Sequence, residues 1–397
     1  MRNRVYFGSY SLEYWMKLLR NGDIILPKYQ RHFVWEKERV DKLVASIKED
    51  LFIPPVTIGA FKENDKLQNF IIDGQQRLTS ILLAFLGLYP DKEHFTRNDA
   101  VLAAEDEGVE REESDEEDST VIKWNVQELL KDDNSFDAIK ARAHLNGHYY
   151  SFEPTLDTEM LKNRFLGFNY LVPSSLNPVE MQKYFSSVFR SVNYSGVNLL
   201  PQESRKALYY LDSHYEQYFA PDFCERITVE NKKVKGKVIM DFTRALALLT
   251  ALHHNHKDYC KPGRGYGRRL ETYYEHFIQS VVSGEYEDLF GKFTDLFPNK
   301  TFSPTMAQLQ QQIENLELYG YYESIIFIDV FFMGLIYCVL FEKKQIDANQ
   351  KEELKTKLQA QANTFKHDPK HSRSPASLKY LQARMETSIN IYNEYVS

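Results

Sequence analysis

The sequence predicts an α+β protein, with an α/β unit at the N-terminus followed by a mostly α-helical C-terminal domain. Three observations carry that expectation. In Phe70–Thr79 an apolar run stops at Asp73-Gly74 and a helical pattern begins at once, with Leu78, Ile81, Leu82 and Phe85 at helical spacing. That reads as strand, tight turn and helix N-terminus. Upstream of it, helical stripes and short apolar runs alternate. Downstream, Ile325–Phe341 is apolar nearly all round, interrupted by Asp329 and shorter than the about 20 residues of a bilayer crossing. It predicts a helix buried in a bundle and no membrane association.

In chain order, Ser11 caps a helix whose apolar face is Leu12, Trp15, Leu18 and Leu19, stopped by Gly22. Ile24–Pro27 reads as a short strand. Tyr29–Trp35 mixes polar and aromatic residues too irregularly for one. Val40, Leu43, Val44 and Ile47 form a helical stripe, and Pro54-Pro55 precedes a strand at Val56–Ile58. A second strand near Phe70 delivers the central turn. Glu105–Asp118 is almost all acidic and reads as a solvated surface loop rather than a DNA mimic. Helical signals resume over Val126–Leu130 and Pro178–Phe189. Gly196 then marks a turn, and Pro201 suits the first turn of a helix that has Glu203 early in it. The rest reads as helical, with a basic turn at Lys232–Lys237 and a glycine-spaced basic loop at Gly263–Arg269. Two domains are expected, 1–215 with an acidic insertion near 91–120, and 216–397.

The net charge of −7 excludes a generally basic nucleic-acid binder, so any DNA contact comes from local patches. Arg264, Arg268 and Arg269, with Tyr266 to stack on a base, form the best of these. Three scattered cysteines suit a reducing compartment, and the N-terminus lacks an export signal, so a cytoplasmic location is expected. His253-His254-Asn255-His256 follows Leu246, Leu248, Leu249 and Leu252. It reads as the polar end of a helix rather than a ββα metal site, and no protein metal-ligand set is predicted.

At the central turn, Gly74 admits close approach to the backbone, and the first helical turn favours an anion. Arg77 is poorly placed for the helix dipole and needs another partner. Alternatively, Asp73 caps the helix and pairs with Arg77 at i, i+4; the residues leave both readings open. In the same way, Tyr29, Gln30, Arg31, Phe33 and Trp35 suit reading or holding a base, while Phe33 and Trp35 equally suit burial against the Val40–Ile47 helix.

Three motifs together resemble a known family. They are Tyr29-Gln30-Arg31 followed by Trp35; Asp73-Gly74-Gln75-Gln76-Arg77-Leu78-Thr79; and Phe189-Arg190 spaced with Asn193, Gly196, Leu199, Glu203, Arg205 and Ala207. They look like the N-terminal domain of the GmrSD-type restriction family, which is similar in fold to the ParB/sulfiredoxin superfamily. The resemblance implies binding and hydrolysis of a nucleoside triphosphate, with a divalent cation such as Mg, coupled to recognition or cutting of foreign, often modified, phage DNA. Carried over, it makes Asp73, Gln75, Gln76 and Arg77 catalytic candidates. Gln30, Arg31, Gly74, Arg77, Thr79, Asn193, Glu203 and Arg205 become nucleotide-binding candidates, and Tyr29, Gln30 and Trp35 join the basic loop as DNA-binding candidates. It also implies an HNH nuclease, fused or as a partner subunit, and leaves homo-oligomerisation open. Two function classes follow. One is a nucleotide-hydrolysing component of a prokaryotic anti-phage (type IV-like) restriction system, with DNA nicking open. The other is a non-catalytic module that binds modified DNA or a partner and uses the nucleotide site as a switch.

Overall fold

The structure is a computed structural model that describes residues 3–26, 33, 35–63, 66–91, 96–97, 121–122, 124, 126, 129–130, 135–146, 148–153, 155–193, 201–231 and 236–396. It is mixed α/β at the N-terminus and mostly helical beyond. Two compact units divide it, one of Met1–Arg97 and Thr120–Leu199, the other including Leu200–Ser397.

The first unit is built on a four-stranded sheet. Its strands are β1 (Arg4–Ser11), β2 (Val56–Glu63), β3 (Lys66–Asp73) and β4 (Phe165–Val172), in the order β1-β4-β2-β3. β1 and β4 are antiparallel, β4 and β2 parallel, and β2 and β3 antiparallel. On one face lie α1 (Leu12–Asn21), α2 (Lys37–Lys48) and α3 (Gln75–Leu86). Their apolar stripes, including Trp15, Val40, Val44, Leu78 and Leu82, share a core with Ile58, Ile71 and Leu166 of the strands. The caps form as expected: Ser11 Oγ accepts from the Tyr14 N–H at 3.2 Å, and Gly22 closes α1 with φ 71°. Trp15 Nε1 donates to the Leu166 carbonyl at 3.0 Å, pinning α1 to β4. On the other face, α4 (Pro178–Asn193) sets Phe185 edge-on to Phe61 and Phe70. One expectation is corrected here: Ile24–Leu26 contributes a single parallel bridge, Ile25 to Phe70, in place of a strand. In Val126–Leu130 the described residues include a 3-10 turn that starts at Val126, whose carbonyl accepts from the Leu129 N–H at 3.0 Å. The acidic run lies outside the described residues.

In the second unit, the apolar run forms α8 (Ile325–Ile336) and a π turn over Tyr337–Phe341. It packs with α5 (Phe242–His254), α6 (Leu270–Ser283), α7 (Ser303–Asn315), α9 (Lys351–His367) and α10 (Leu378–Asn393). α8 and α10 cross closely at Gly334, where a Cβ would run into the Ser388 carbonyl oxygen. The expected break, Asp329, is fully buried. It takes both terminal nitrogens of Arg244, at 2.6 and 3.0 Å, and Arg384 Nε at 3.0 Å. Uncompensated, that carboxylate would be very costly in an apolar helix; two guanidiniums make it tolerable.

The C-terminal region is mostly helical as expected and also holds a small sheet. β5 (Ile227–Asn231) and β6 (Gly236–Ile239) form a hairpin, and β7 (Gly320–Tyr322) adds parallel to β5. The strands are too short to register against the helical periodicity around them. α5 follows this hairpin, so the C-terminal region does contain a hairpin-plus-helix unit. Its strands carry no histidine, and His253 and His254 sit at the far end of the helix.

Candidate functional site

Register across the sheet decides which way Asp73 points. Ile71 pairs with Ile58, and both lie in the α1–α3 core, but Asp73 pairs with Thr57, because β3 carries one extra residue at this point. Without that bulge, alternation would put Ile72 opposite Thr57 and Asp73 on the core face with Ile71. The extra residue therefore re-aims a carboxylate that strict alternation would bury, as bulges commonly do beside functional sites.

Arg77, one turn into α3, holds that carboxylate. Its Nη2 donates to Asp73 Oδ2 at 2.5 Å, while Nη1 donates to the carbonyls of Pro54 and, at 3.2 Å, Pro55. The guanidinium thus ties the Asp73 turn to the segment entering β2. Arg77 is 9% exposed, whereas the Asp73 side chain is 36% exposed. The carboxylate faces solvent and its clamp does not. Asp73 does not cap α3, since the capping position is Gly74 and carries no side-chain cap. Gly74 has φ 98°, and a Cβ there would lie 2.9 Å from Val56 Cγ2. The glycine is required by backbone conformation and by the close approach of β2.

The other expected residues fall out as follows. Gln75 and Thr79 are buried and Gln76 half-buried along α3. Tyr29, Gln30 and Arg31 lie outside the described residues, as do the side chains of Asn193, Glu203 and Arg268. Phe33 is buried against Trp124 and Tyr89, the packing alternative. Trp35 is half-buried, with the Arg39 guanidinium 4.8 Å over its ring. Arg205 lies in the second unit, where it pairs with Asp241 at 2.6 Å and Glu271 at 2.7 Å. Burial works against its charge, but these two carboxylates outweigh it and hold its pKa above the ordinary arginine value. Arg264 and Arg269 are exposed. Tyr266 is half-buried, and its hydroxyl is 2.8 Å from His276 Nδ1. His253 packs near Tyr337 and Phe341, and burial lowers its pKa. Among the described residues no three His, Cys, Asp or Glu side chains gather as a metal site.

Two residues were missed by sequence reasoning. Thr57 is buried opposite Asp73, and Asn169 Nδ2 donates to Thr57 Oγ1 at 3.4 Å from the neighbouring strand. Polar residues at alternate strand positions look like solvent-facing ones, and only the strand order brings them to Asp73.

Residues 15–210 match the family described as GmrSD restriction endonuclease, N-terminal domain. The chain is also similar to an uncharacterized protein, MJ0686, of Methanocaldococcus jannaschii, at 25% identity over 292 residues. That alignment covers 62% of this chain and 50% of the relative, so the chain spans about half the length of the curated relative it matches. No solved structure matches.

Proposed function

Given that residues 15–210 belong to the GmrSD restriction endonuclease N-terminal family, we propose that this chain is the nucleotide-hydrolysing component of a prokaryotic restriction system acting on foreign or modified DNA. One observation supports the assignment of the site above others. A bulge turns Asp73 out of the core, and a buried arginine holds it at a strand end beside a helix N-terminus. A solvent-facing carboxylate held in one place suits orienting water or a cation at a phosphate.

Arg77 offsets part of the Asp73 charge, and a divalent cation completes this reading by offsetting the charge of the phosphates. The donor set fits Mg, which is commonly held by one or two carboxylates with phosphate oxygens and water completing its shell. Asp73 would hold it on the protein side, and the cation would neutralise charge on the phosphates. Arg77 acts through Asp73 and the Pro54–Pro55 segment, as a positioning residue. Gln75 and Gln76 occupy the first turn beside it and remain candidates for water or phosphate contact. In this reading the DNA is cut by an HNH nuclease partner.

A second reading draws on the commitment of Arg77 to protein acceptors, which suits a module that binds modified DNA or a partner and uses the turn as a switch. Turnover of nucleoside triphosphate with Mg, by the full chain and its Asp73→Asn variant, separates the two. Hydrolysis that disappears in the variant supports the enzyme. A wild-type chain that binds DNA and turns over no nucleotide, with or without DNA, supports the module.

A further inference from the structure

The paired positions Phe7–Asn169, Asn169–Thr57 and Thr57–Asp73 run straight across β1, β4, β2 and β3, so the four residues form one row on one face of the sheet. The row is chemically graded. It begins with the Asp73 carboxylate, continues through the Thr57 hydroxyl and the Asn169 amide that bonds it, and ends at the Phe7 ring. Phe7 is 77% exposed, on a strand that among the described residues pairs only at its other edge. An apolar ring that exposed gains nothing from the core. Three strand spacings separate Asp73 from Phe7, about 14 Å. The row is bounded by Pro55, which lies against Gly167, and by α4, whose Phe185 covers Phe61 and Phe70.

We propose that the accessible members of this row, Asp73, Asn169 and Phe7, hold the nucleotide, with its phosphates toward Asp73 and its base on Phe7, while the buried Thr57 hydroxyl orients the Asn169 amide that contacts the sugar or base edge. The proposal rests on the nucleotide reading of Asp73 and adds the residues that bind the base end. A ring stacks on any base, so Phe7 supplies affinity, while an amide with both a donor and an acceptor supplies preference.

The test is direct binding to the full chain, with Mg, of ATP, GTP and inorganic tripolyphosphate, which lacks a base. Phe7→Ala is expected to weaken both nucleotides about tenfold and leave tripolyphosphate unchanged. Phe7→Tyr should restore nucleotide binding. Asn169→Ala should change the ratio of ATP to GTP affinity. Because Phe7 is exposed, its substitution leaves the fold intact, which circular dichroism checks. Wild-type nucleotide binding unaltered by both substitutions, or a loss in Phe7→Ala shared equally by tripolyphosphate, overturns the row as the base site while leaving Asp73 in place. Absence of any nucleotide and tripolyphosphate binding by the wild type removes the nucleotide reading, and this proposal with it.

Discussion

Arg77 Nη2 reaches Asp73 Oδ2 at 2.5 Å across one helical turn, and the same guanidinium donates to the carbonyls of Pro54 and Pro55. Three chain segments therefore meet at one buried cation. Arg77→Ala leaves the two carbonyls without their donor and is expected to lower unfolding free energy by about 1–3 kcal/mol. Asp73→Asn leaves the buried Arg77 guanidinium without its carboxylate and should itself cost about 1–3 kcal/mol while abolishing nucleotide turnover. Urea denaturation beside a phosphate-release assay checks both; Arg77→Ala at wild-type stability would contradict the clamp.

Gly74→Ala should be destabilising for two separable reasons. The positive φ costs about 1–3 kcal/mol for a residue with a side chain, and the new Cβ meets Val56. In the Gly74→Ala background, Val56→Ala is expected to recover the steric part and leave the backbone part. Thermal unfolding of the double-mutant cycle measures the split.

Asp329 pairs with two arginines inside the helical core, and its single charge offsets one of their two. Asp329→Ala is expected to cost about 3–5 kcal/mol, because Arg244 and Arg384 are then buried without their carboxylate. Replacing all three with apolar residues should recover most of that loss. If it does not, the pairs contribute more than mutual neutralisation.

Stability should fall as the medium is acidified below about pH 6.5, the ordinary histidine value. Burial lowers the pKa of His371 and the neighbouring Arg384 adds to this, while Asp368 opposes it; the rings of Phe365 and Tyr380 flank the imidazole. A lowered folded pKa means that the unfolded chain binds more protons in this range. The stabilisation is complete above the unfolded value and lost as pH falls through the folded one. Burial lowers His253 and His276 in the same direction. The pH dependence of unfolding from 8 to 5 should be shallower in His371→Gln, and an equal slope would exclude His371.

For DNA, replacing Arg264, Arg268 and Arg269 together with alanine should weaken binding and flatten its salt dependence. The log–log slope should fall by about 0.9 for each phosphate that the loop no longer neutralises. Arg264 and Arg269 are exposed, so the fold should tolerate this. Nucleotide turnover in the absence of DNA should remain unchanged. Fluorescence anisotropy across a salt series reads the slope, and an unchanged slope would clear the loop of any role at the phosphates.

Much of the local structure was legible in the sequence. Ser11 and Gly22 bound α1, the stripe from Val40 to Ile47 is buried in α2, and the turn at Asp73-Gly74 opens α3 where the apolar pattern changes period. These features depend on neighbours three or four residues apart, so spacing alone determines them. The i, i+4 pair of Asp73 and Arg77 was readable for the same reason. What the tertiary structure decided has longer range. The bulge that turns Asp73 toward Thr57 depends on how β3 registers against β2. The second and third acceptors of Arg77 come from a segment more than twenty positions earlier. Arg205 meets Asp241 and Glu271 through packing among helices of the second unit. Periodicity is local, whereas register and buried charge pairing depend on which segments pack together, and composition and spacing do not encode that directly.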